Sequence, residues 1–226
     1  MTTPAVAVVP ARNEAPRLPE TLSALVTLPA VQHVVVVDDG SMDNTSEVAA
    51  AFGAEVVRLP PRRRGDKGRA LLSGIVHARR HNPDAVLLAD ADLGASAARL
   101  RPLLDGLYGA PVAVAAFPPA EGAGFGLVKR LARCEISRRT GFAPREPLSG
   151  QRALLAGALD LLPGLAPGFG VEVGMTLDLL AAGIQPLEIP LPLSHRPTGR
   201  GPSGFAHRAR QGLDVLRALQ GSRIPW

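Results

Sequence analysis

The most constraining feature of the chain is a series of short apolar runs, rich in Val and Ala, in its first half. They lie at residues 5–9, 33–37, 55–57, 85–89 and 112–116. Apart from His33 and Glu55, which begin two of them, the runs are continuously apolar and do not alternate with polar residues, which is typical of parallel strands covered on both faces. Helical stretches separate them, at residues 16–28, 45–52, 68–81 and 95–108. This alternation predicts a doubly wound α/β sheet whose strands are mostly parallel.

The second half of the chain has a different pattern, in which helices predominate. We predict helices at residues 127–139, 151–162, 171–180 and 205–219. A late run at residues 187–193 contains Pro190 and Pro192, which predicts an edge strand because proline has no N–H to donate. Residues 118–126, rich in Pro, Gly and Ala, predict a mobile loop. A length of 226 residues suits one domain.

Composition and charge exclude several classes of protein. The first residues carry no signal-peptide pattern, and no apolar run approaches the roughly 20 residues that span a bilayer. A single cysteine suits a reducing cytoplasm, which is the expected location. The net charge of +5 comes from arginine-rich segments that suit phosphate ligands or an anionic membrane surface at the inner face. Nucleic acid is not expected as a partner, because aromatic residues do not interleave with the basic ones.

Polar segments follow four of the apolar runs, at the edge where parallel sheets bind ligands. They are Pro-Ala-Arg-Asn-Glu at 10–14, Asp-Asp-Gly-Ser-Met-Asp-Asn-Thr at 38–45, Gly-Asp-Lys-Gly at 65–68 and Asp-Ala-Asp at 90–92. Each alone has a structural explanation, since Asp and Thr cap helices and glycine turns the chain. Four such segments at one edge of one sheet instead indicate a ligand site.

In this order the four segments resemble glycosyltransferase family 2 and its relatives of the GT-A fold. Two later segments, Leu-Ser-Gly-Gln-Arg at 148–152 and Gly-Phe-Gly-Val-Glu-Val-Gly at 168–174, are similar to polyprenyl-phosphate sugar transferases. They are still more similar to glucosyl-3-phosphoglycerate synthases. The resemblance implies a single Rossmann-like GT-A domain over residues 1–226. Residues 1–117 would form its nucleotide-binding half and residues 118–226 its acceptor- and sugar-binding half.

The resemblance also implies an enzyme that transfers a sugar from a nucleotide-sugar, with a UDP-sugar as the expected donor. It implies Mg²⁺ or Mn²⁺ as the cofactor, because hard cations prefer carboxylate oxygens and neutralise a diphosphate leaving group. Asp92 is the expected direct and catalytic ligand, with Asp90 close to the ribose. His195 is similar to a histidine that completes the metal site in several of these families. A structural role for His195 remains the alternative.

Donor-binding residues follow from the same resemblance and from the chemistry of the donor. We expect the nucleoside to contact Pro10, Ala11, Glu14 and Asp39, with Asp38 as the alternative to Asp39. Carboxylates accept hydrogen bonds from base N–H groups and ribose hydroxyls, and Lys67 would place a compact positive charge on the diphosphate. Glu172, after a flexible segment at 168–170, is the catalytic candidate at the sugar end. Its alternative role is that of a first-turn glutamate favourable to the helix dipole.

The acceptor is less well specified than the donor. The Gly-Arg-Val-Thr-like acceptor loop of the synthases is replaced here by Phe-Pro-Pro-Ala-Glu-Gly-Ala-Gly at 117–124. A small molecule and a polyprenyl phosphate both remain candidates. The amphipathic stretch at 205–219 would either touch a membrane peripherally or pack on its own domain. A second copy of the chain, forming a homodimer, is a further candidate partner.

Two other functions remain open. A nucleotidyltransferase that makes the nucleotide-sugar would also use metal carboxylates and a lysine, but it should carry a glycine-rich signature after the first strand. A non-catalytic nucleotide-sugar-binding protein would be expected to lack one of Asp39, Lys67 and Asp92. All three are present.

Overall fold

The structure is a computed structural model that describes residues 3–117, 126–193 and 202–226, with side chains from residue 210 onward in the last range. The strands are β1 (Ala5–Ala11), β2 (Val31–Asp38), β3 (Glu55–Arg58), β4 (Ala85–Leu88), β5 (Val112–Ala116), β6 (Arg152–Leu155) and β7 (Leu187–Pro190). The helices are α1 (Leu18–Leu25), α2 (Thr45–Ala51), α3 (Lys67–Ala78), α4 (Arg101–Gly106), α5 (Gly126–Thr140), α6 (Ala156–Leu159), α7 (Val171–Ala181) and α8 (Pro202–Leu219). Short 3₁₀ helices cover Arg79–His81, Gly94–Leu100 and Gly168–Gly170.

The strands form one sheet in the order β3-β2-β1-β4-β6-β5-β7. All neighbouring pairs are parallel except those of β6, which runs antiparallel to β4 and β5. The sheet confirms the predicted α/β fold with a mostly parallel arrangement. β7 lies at an edge, as the prolines of that run predicted.

Both faces of the central strands are buried, which explains why their sequences are continuously apolar. In β1, Val6 and Val8 pack in the cluster that contains Leu71 and Ile75 of α3. Ala7 and Val9 face the other way, into the cluster that contains α1, the 3₁₀ helix Gly94–Leu100 and α4. Helices thus cover the sheet on two sides, and its carboxyl edge stays available for polar side chains.

The prediction of a helix at residues 151–162 is wrong for its first part. Residues Arg152–Leu155 form β6, and only Ala156–Leu159 are helical. Ala and Leu have high helix propensity. This segment nevertheless lies between β4 and β5, which pair with it on both sides, and that tertiary context overrides propensity. The helix predicted at 95–108 is also divided, because a regular α-helix begins only at Arg101, beside Pro102.

A third layer of helices packs beside the sheet and includes the end of the chain. Ala132 and Ile136 of α5, Val173 of α7, and Val215 and Leu219 of α8 form its buried core. Val215, Ala218 and Leu219 of α8 are therefore buried on their own domain, whereas Leu213 and Leu216 of the predicted apolar stripe are exposed. Within the described ranges, no helix is long and apolar enough to cross a membrane. The predicted loop at 118–126 lies, except for its last residue, outside the described residues.

Candidate active site

The loops that follow β1 and β2 are held together by side-chain to backbone hydrogen bonds. Asn13, which has a left-handed φ of 56°, donates its N–H to Ser41 Oγ over 2.9 Å. Its side-chain Oδ1 accepts from the N–H of Met42 over 2.8 Å. Glu14 donates its N–H to Thr45 Oγ1 over 3.0 Å. The first two motifs therefore form one connected rim, because the polar side chains of one loop satisfy the backbone of the other.

The two neighbouring aspartates at the end of β2 have different environments. Asp38 accepts hydrogen bonds from Ser41 N–H, at 2.7 Å, and from Ser46 Oγ, so its carboxylate supports its own loop. Asp39 is 5% exposed and accepts at Oδ2 from the N–H of Asp66 over 2.5 Å. Its Oδ1 is buried and has no hydrogen-bond partner within the described residues. Asp39, and not Asp38, therefore has an oxygen available for a ligand.

Burial raises the pKa of the Asp39 carboxyl, although the bond from Asp66 N–H and the nearby Arg12 guanidinium oppose that shift. Arg12 donates from Nη1 to the carbonyl oxygen of Asp39 (3.0 Å) and from Nη2 to that of Arg62 (2.8 Å). Arg12 thus fastens the start of the 62–66 loop to the Asp39 backbone.

Lys67, at the start of α3, lies between carboxylates from two other parts of the chain. Its Nζ is 2.6 Å from Asp90 Oδ1 after β4 and 2.8 Å from Glu172 Oε1 in the first turn of α7. Gln151 donates from Nε2 to the other oxygen of Asp90 over 2.8 Å. Burial alone lowers the pKa of the Lys67 ammonium, but the two carboxylates more than offset it and the net shift is upward.

Glu172 is placed by a turn that is tightly packed. The segment at 168–170, predicted to be flexible, is a 3₁₀ turn in which Gly168 and Gly170 are buried. A Cβ at either glycine would overlap Asp214 of α8, and Asp214 Oδ2 accepts from the N–H of Phe169 over 3.2 Å. The turn is therefore a fixed support for the start of α7.

Asp92 differs from Asp90 in having no partner among the described residues. Both oxygens of Asp90 are engaged by Lys67 and Gln151. Asp92 is partly exposed and forms no hydrogen bond or ion pair within the part of the chain that the structure describes. That part contains no cluster of three or more metal-ligating side chains. His195 lies outside the described residues. One free carboxylate fits a Mg²⁺ or Mn²⁺ ion that takes its other ligands from water and phosphate.

Residues 6–154, more than half of the chain, match the family described as glycosyl transferase family 2. The chain belongs to this family. Curated relatives include the uncharacterized glycosyltransferase YaiP of Escherichia coli, 39% identical over 90 residues, and a 4,4'-diaponeurosporenoate glycosyltransferase of Staphylococcus aureus, 33% identical over 89 residues. Each match covers 38% of this chain and only 22% or 23% of the relative, so the chain matches about a quarter of their length.

Solved structures resemble this family 2 chain over nearly its whole length. Glucosyl-3-phosphoglycerate synthase from Mycobacterium tuberculosis, in complex with Mn²⁺, UDP and glucosyl-3-phosphoglycerate, has a TM-score of 0.76 and 26% identity. The same synthase with Mg²⁺ and UDP has a TM-score of 0.78 and 25% identity. Each likeness covers 99% of this chain and 87% of the synthase. These neighbours confirm the GT-A fold.

The structure brings most of the predicted site residues of this family 2 chain to one edge of the sheet. Pro10 and Ala11 end β1, and the carbonyl of Ala11 accepts from the N–H of Asp39 over 2.9 Å. Glu14 is on the same rim, but its carboxylate is paired with Arg17 at 2.7 Å.

Sequence reasoning missed the roles of Arg12, Asp66 and Gln151, although all three lie within quoted motifs. Gln151 follows the Ser149-Gly150 pair and could have been noted as a polar residue at a strand start. Its partner Asp90 is 61 residues away, and no local pattern reveals that contact.

Proposed function

We propose that the chain transfers a sugar from a UDP-sugar to a small hydroxylated acceptor with the help of a divalent cation. One arrangement carries the proposal: the Lys67 ammonium, held by Asp90 and Glu172, lies at the same sheet edge as Asp39 Oδ1. That oxygen is buried and has no hydrogen-bond partner among the described residues. A nucleoside diphosphate sugar has hydrogen-bond donors at its nucleoside end, concentrated negative charge at its centre and hydroxyls at its sugar end. This edge offers a complementary group to each of the three.

The nucleoside end would be bound at the rim of β1 and β2. Asp39 Oδ1 would accept a hydrogen bond from a base N–H or a ribose hydroxyl, which satisfies a buried acceptor that otherwise costs free energy. Pro10, Ala11 and Glu14 would form the adjacent wall. The UDP-bound synthases support uracil as the base.

The diphosphate would be bound by Lys67 and by the cation. An ammonium has three N–H donors, and Asp90 and Glu172 use two of those of Lys67, so one remains for a phosphate oxygen. Asp92 would be the carboxylate ligand of Mg²⁺ or Mn²⁺, with His195 as a further ligand. When bound, the cation supplies charge neutralisation of the leaving diphosphate.

The sugar would lie towards α7. Glu172 is buried and already oriented by Lys67, so its carboxylate would accept hydrogen bonds from sugar hydroxyls at little cost in side-chain entropy. The nucleotide-binding half would thus comprise residues 1–117 and the sugar- and acceptor-binding half residues 118–226. The two halves meet at the ion pair between Lys67 and Glu172.

A small phosphorylated molecule is our preferred acceptor. Synthase structures with phosphoglyceric acid and with glycerol 3-phosphate support this class. A lipid phosphate is the second candidate, because Leu213 and Leu216 are 55% and 44% exposed on α8, beside Arg210 and Arg217. Flotation with anionic vesicles separates the candidates. Binding that is lost in the double variant Leu213→Gln, Leu216→Gln would favour the lipid.

Calorimetry with UDP-glucose and GDP-mannose, with and without Mn²⁺, tests the proposal. We expect chelation to weaken UDP-glucose binding at least about tenfold, since a cation neutralises phosphate charge. Asp92→Ala should lose the response to Mn²⁺ and all turnover, while keeping the melting temperature because its side chain is partly exposed. His195→Ala should weaken that response more mildly.

Asp105→Ala is the matched control, because Asp105 is an exposed carboxylate paired with Arg101 on α4. It should behave as the wild type does. Equal affinity after rigorous chelation would remove the cation from the proposal. Release of pyrophosphate from a nucleoside triphosphate and a sugar 1-phosphate would identify a nucleotidyltransferase instead, and binding without transfer to any acceptor would indicate a non-catalytic binding protein.

A further inference from the structure

Asp66 lies between the groups proposed to hold the two ends of the donor. Its backbone N–H donates to Asp39 Oδ2 over 2.5 Å. Its side-chain Oδ1 accepts from the N–H of Arg69 over 3.1 Å and from the N–H of Gly168 over 2.7 Å. One residue therefore contacts the end of β2, the first turn of α3 and the turn that precedes Glu172.

The two hydrogen bonds to the Asp66 side chain have different consequences. The bond from Arg69 is an N-cap of α3, which many helices have and which serves stability. The bond from Gly168 joins residues 102 positions apart and adds nothing to the cap. Gly168 begins the 3₁₀ turn that leads into α7, so this bond fixes the start of α7 relative to the start of α3.

A second connection joins the same two segments through α8. Arg210 donates from Nη2 to the carbonyl oxygen of Gly65 over 2.9 Å. Its Nε lies 4.0 Å from Asp214 Oδ2, the oxygen that accepts from Phe169 N–H. Residues 65–66 and 168–169 are therefore held together by two independent routes, as expected of segments whose relative position matters.

We propose that Asp66 is a positioning residue that sets the place of Glu172 relative to Asp39 and Lys67. The inference rests on the proposed function, because the contacts of Asp39 and Glu172 with the donor are themselves part of that proposal. Loss of the Asp66 side chain should spare the nucleoside and diphosphate contacts, since any residue except proline at 66 keeps the N–H that holds Asp39, and Lys67 is unchanged. It should weaken the contacts to the sugar, which depend on the placement of α7.

Three variants separate this role from that of the helix cap. Asp66→Asn keeps an oxygen at the position of Oδ1 and therefore both hydrogen bonds. Asp66→Ser keeps a cap, but its hydroxyl is one atom too short to reach Gly168 as well. Asp66→Ala loses both bonds. The serine and alanine variants thus share the missing bond to Gly168 and differ in the cap.

We expect the affinity for UDP to stay within about twofold of wild type in all three variants. The serine and alanine variants lose one aligning hydrogen bond. In these two variants we expect kcat to fall about tenfold, and the ratio of UDP-glucose affinity to UDP affinity to fall about tenfold as well. Both quantities should keep their wild-type values in the asparagine variant. The melting temperature should instead fall mainly in the alanine variant. If activity follows the melting temperature, so that the serine variant resembles wild type, Asp66 is a cap and the inference is overturned.

Amide hydrogen exchange of residues 168–172 in the ligand-free protein gives a readout that does not depend on the donor. Exchange should be faster in the serine and alanine variants than in wild type and Asp66→Asn. Unchanged exchange in all variants overturns the inference, as does faster exchange with an intact preference for UDP-glucose over UDP. Failure of the wild type to bind either ligand sinks the proposed function, and the exchange data then show separately whether Asp66 holds the turn.

Discussion

At the scale of single residues, the central feature is a buried cation shared by two carboxylates. Lys67 gains from Asp90 and Glu172 more than it loses by burial, so its pKa is raised. A raised lysine pKa stabilises the folded protein fully below the unfolded value of 10.5, and this contribution is lost only as the pH rises through the higher folded value. Lys67 is therefore charged throughout the neutral and mildly alkaline range.

We predict that Lys67→Met lowers the affinity for UDP at least about tenfold, since it removes a charge-assisted bond to the diphosphate. It also leaves Asp90 and Glu172 facing each other without a cation, so the melting temperature should fall. In the wild type, UDP affinity with Mg²⁺ should stay level from about pH 7 to about pH 8.5, because Lys67 does not titrate there and the uracil N–H keeps its proton. Calorimetry across that range measures both effects. A decline in wild-type affinity within it would contradict the raised pKa.

The chemical types of the site residues could be predicted from the sequence, but their contacts could not. Asp39 and Lys67 follow strands and could be expected at the ligand-binding edge. The choice of Asp39 over Asp38 depends on which carboxylate the loop uses for itself, and only the hydrogen bonds of Ser41 and Ser46 to Asp38 decide that.

At the scale of elements, close approach of the backbone explains why two glycines lie beside Lys67. A Cβ on Gly68, in the first turn of α3, would overlap the carbonyl oxygen of Ala166. A Cβ on Gly150, in the turn before β6, would lie 2.6 Å from Lys67 Nζ. The first neighbour is rigid backbone, whereas the second is the far end of a flexible side chain.

Substitution by alanine should therefore affect mainly stability at Gly68 and mainly UDP binding at Gly150. Gly68→Ala should destabilise the protein by about 1–3 kcal/mol, because α3 must move away from residue 166. Gly150→Ala should cost less stability than Gly68→Ala but weaken UDP binding, because the Lys67 ammonium is displaced from its place near Asp90. Thermal melting and calorimetry on both variants measure this. An equal loss of stability in the two variants would show that the segment before β6 is as rigid as the backbone at Ala166.

The elements themselves were predicted unevenly for a physical reason. β1, β4 and β5, and β2 from Val34 onward, have continuous apolar runs because both faces of each strand are buried there. β6 contains Arg152 inside the sheet, where its guanidinium donates to the carbonyl of Ser149 and to Thr176 Oγ1. Burial lowers the pKa of Arg152 to about 10, although the nearby carboxylates of Glu172 and Glu188 oppose that shift. A charged residue followed by Ala and Leu indicates a helix, and nothing local reveals the partners that make this segment a strand.

At the scale of the whole molecule, α8 packs against the other helices of residues 126–226. Val215 and Leu219 are buried against α5 and α7, and Asp214 supports the turn before Glu172. Beyond α8, Ile224 pairs with Leu165 as an isolated bridge. Residues 210–226 are thus part of the support for the proposed sugar end of the site.

We predict that truncation after Gly204 abolishes cooperative folding. Each large apolar side chain lost from the core costs about 1.5–3 kcal/mol, and the ion pair of Arg223 with Asp178 at 2.5 Å is lost too, so the sum approaches the total stability of roughly 5–15 kcal/mol. The double variant Leu213→Gln, Leu216→Gln is the control, because both side chains are at least partly exposed on the same helix. Its melting temperature should stay within about 2 °C of wild type. Circular dichroism melts compare the three proteins, and a truncated chain that melts cooperatively near the wild-type temperature would show that α8 is dispensable to the domain.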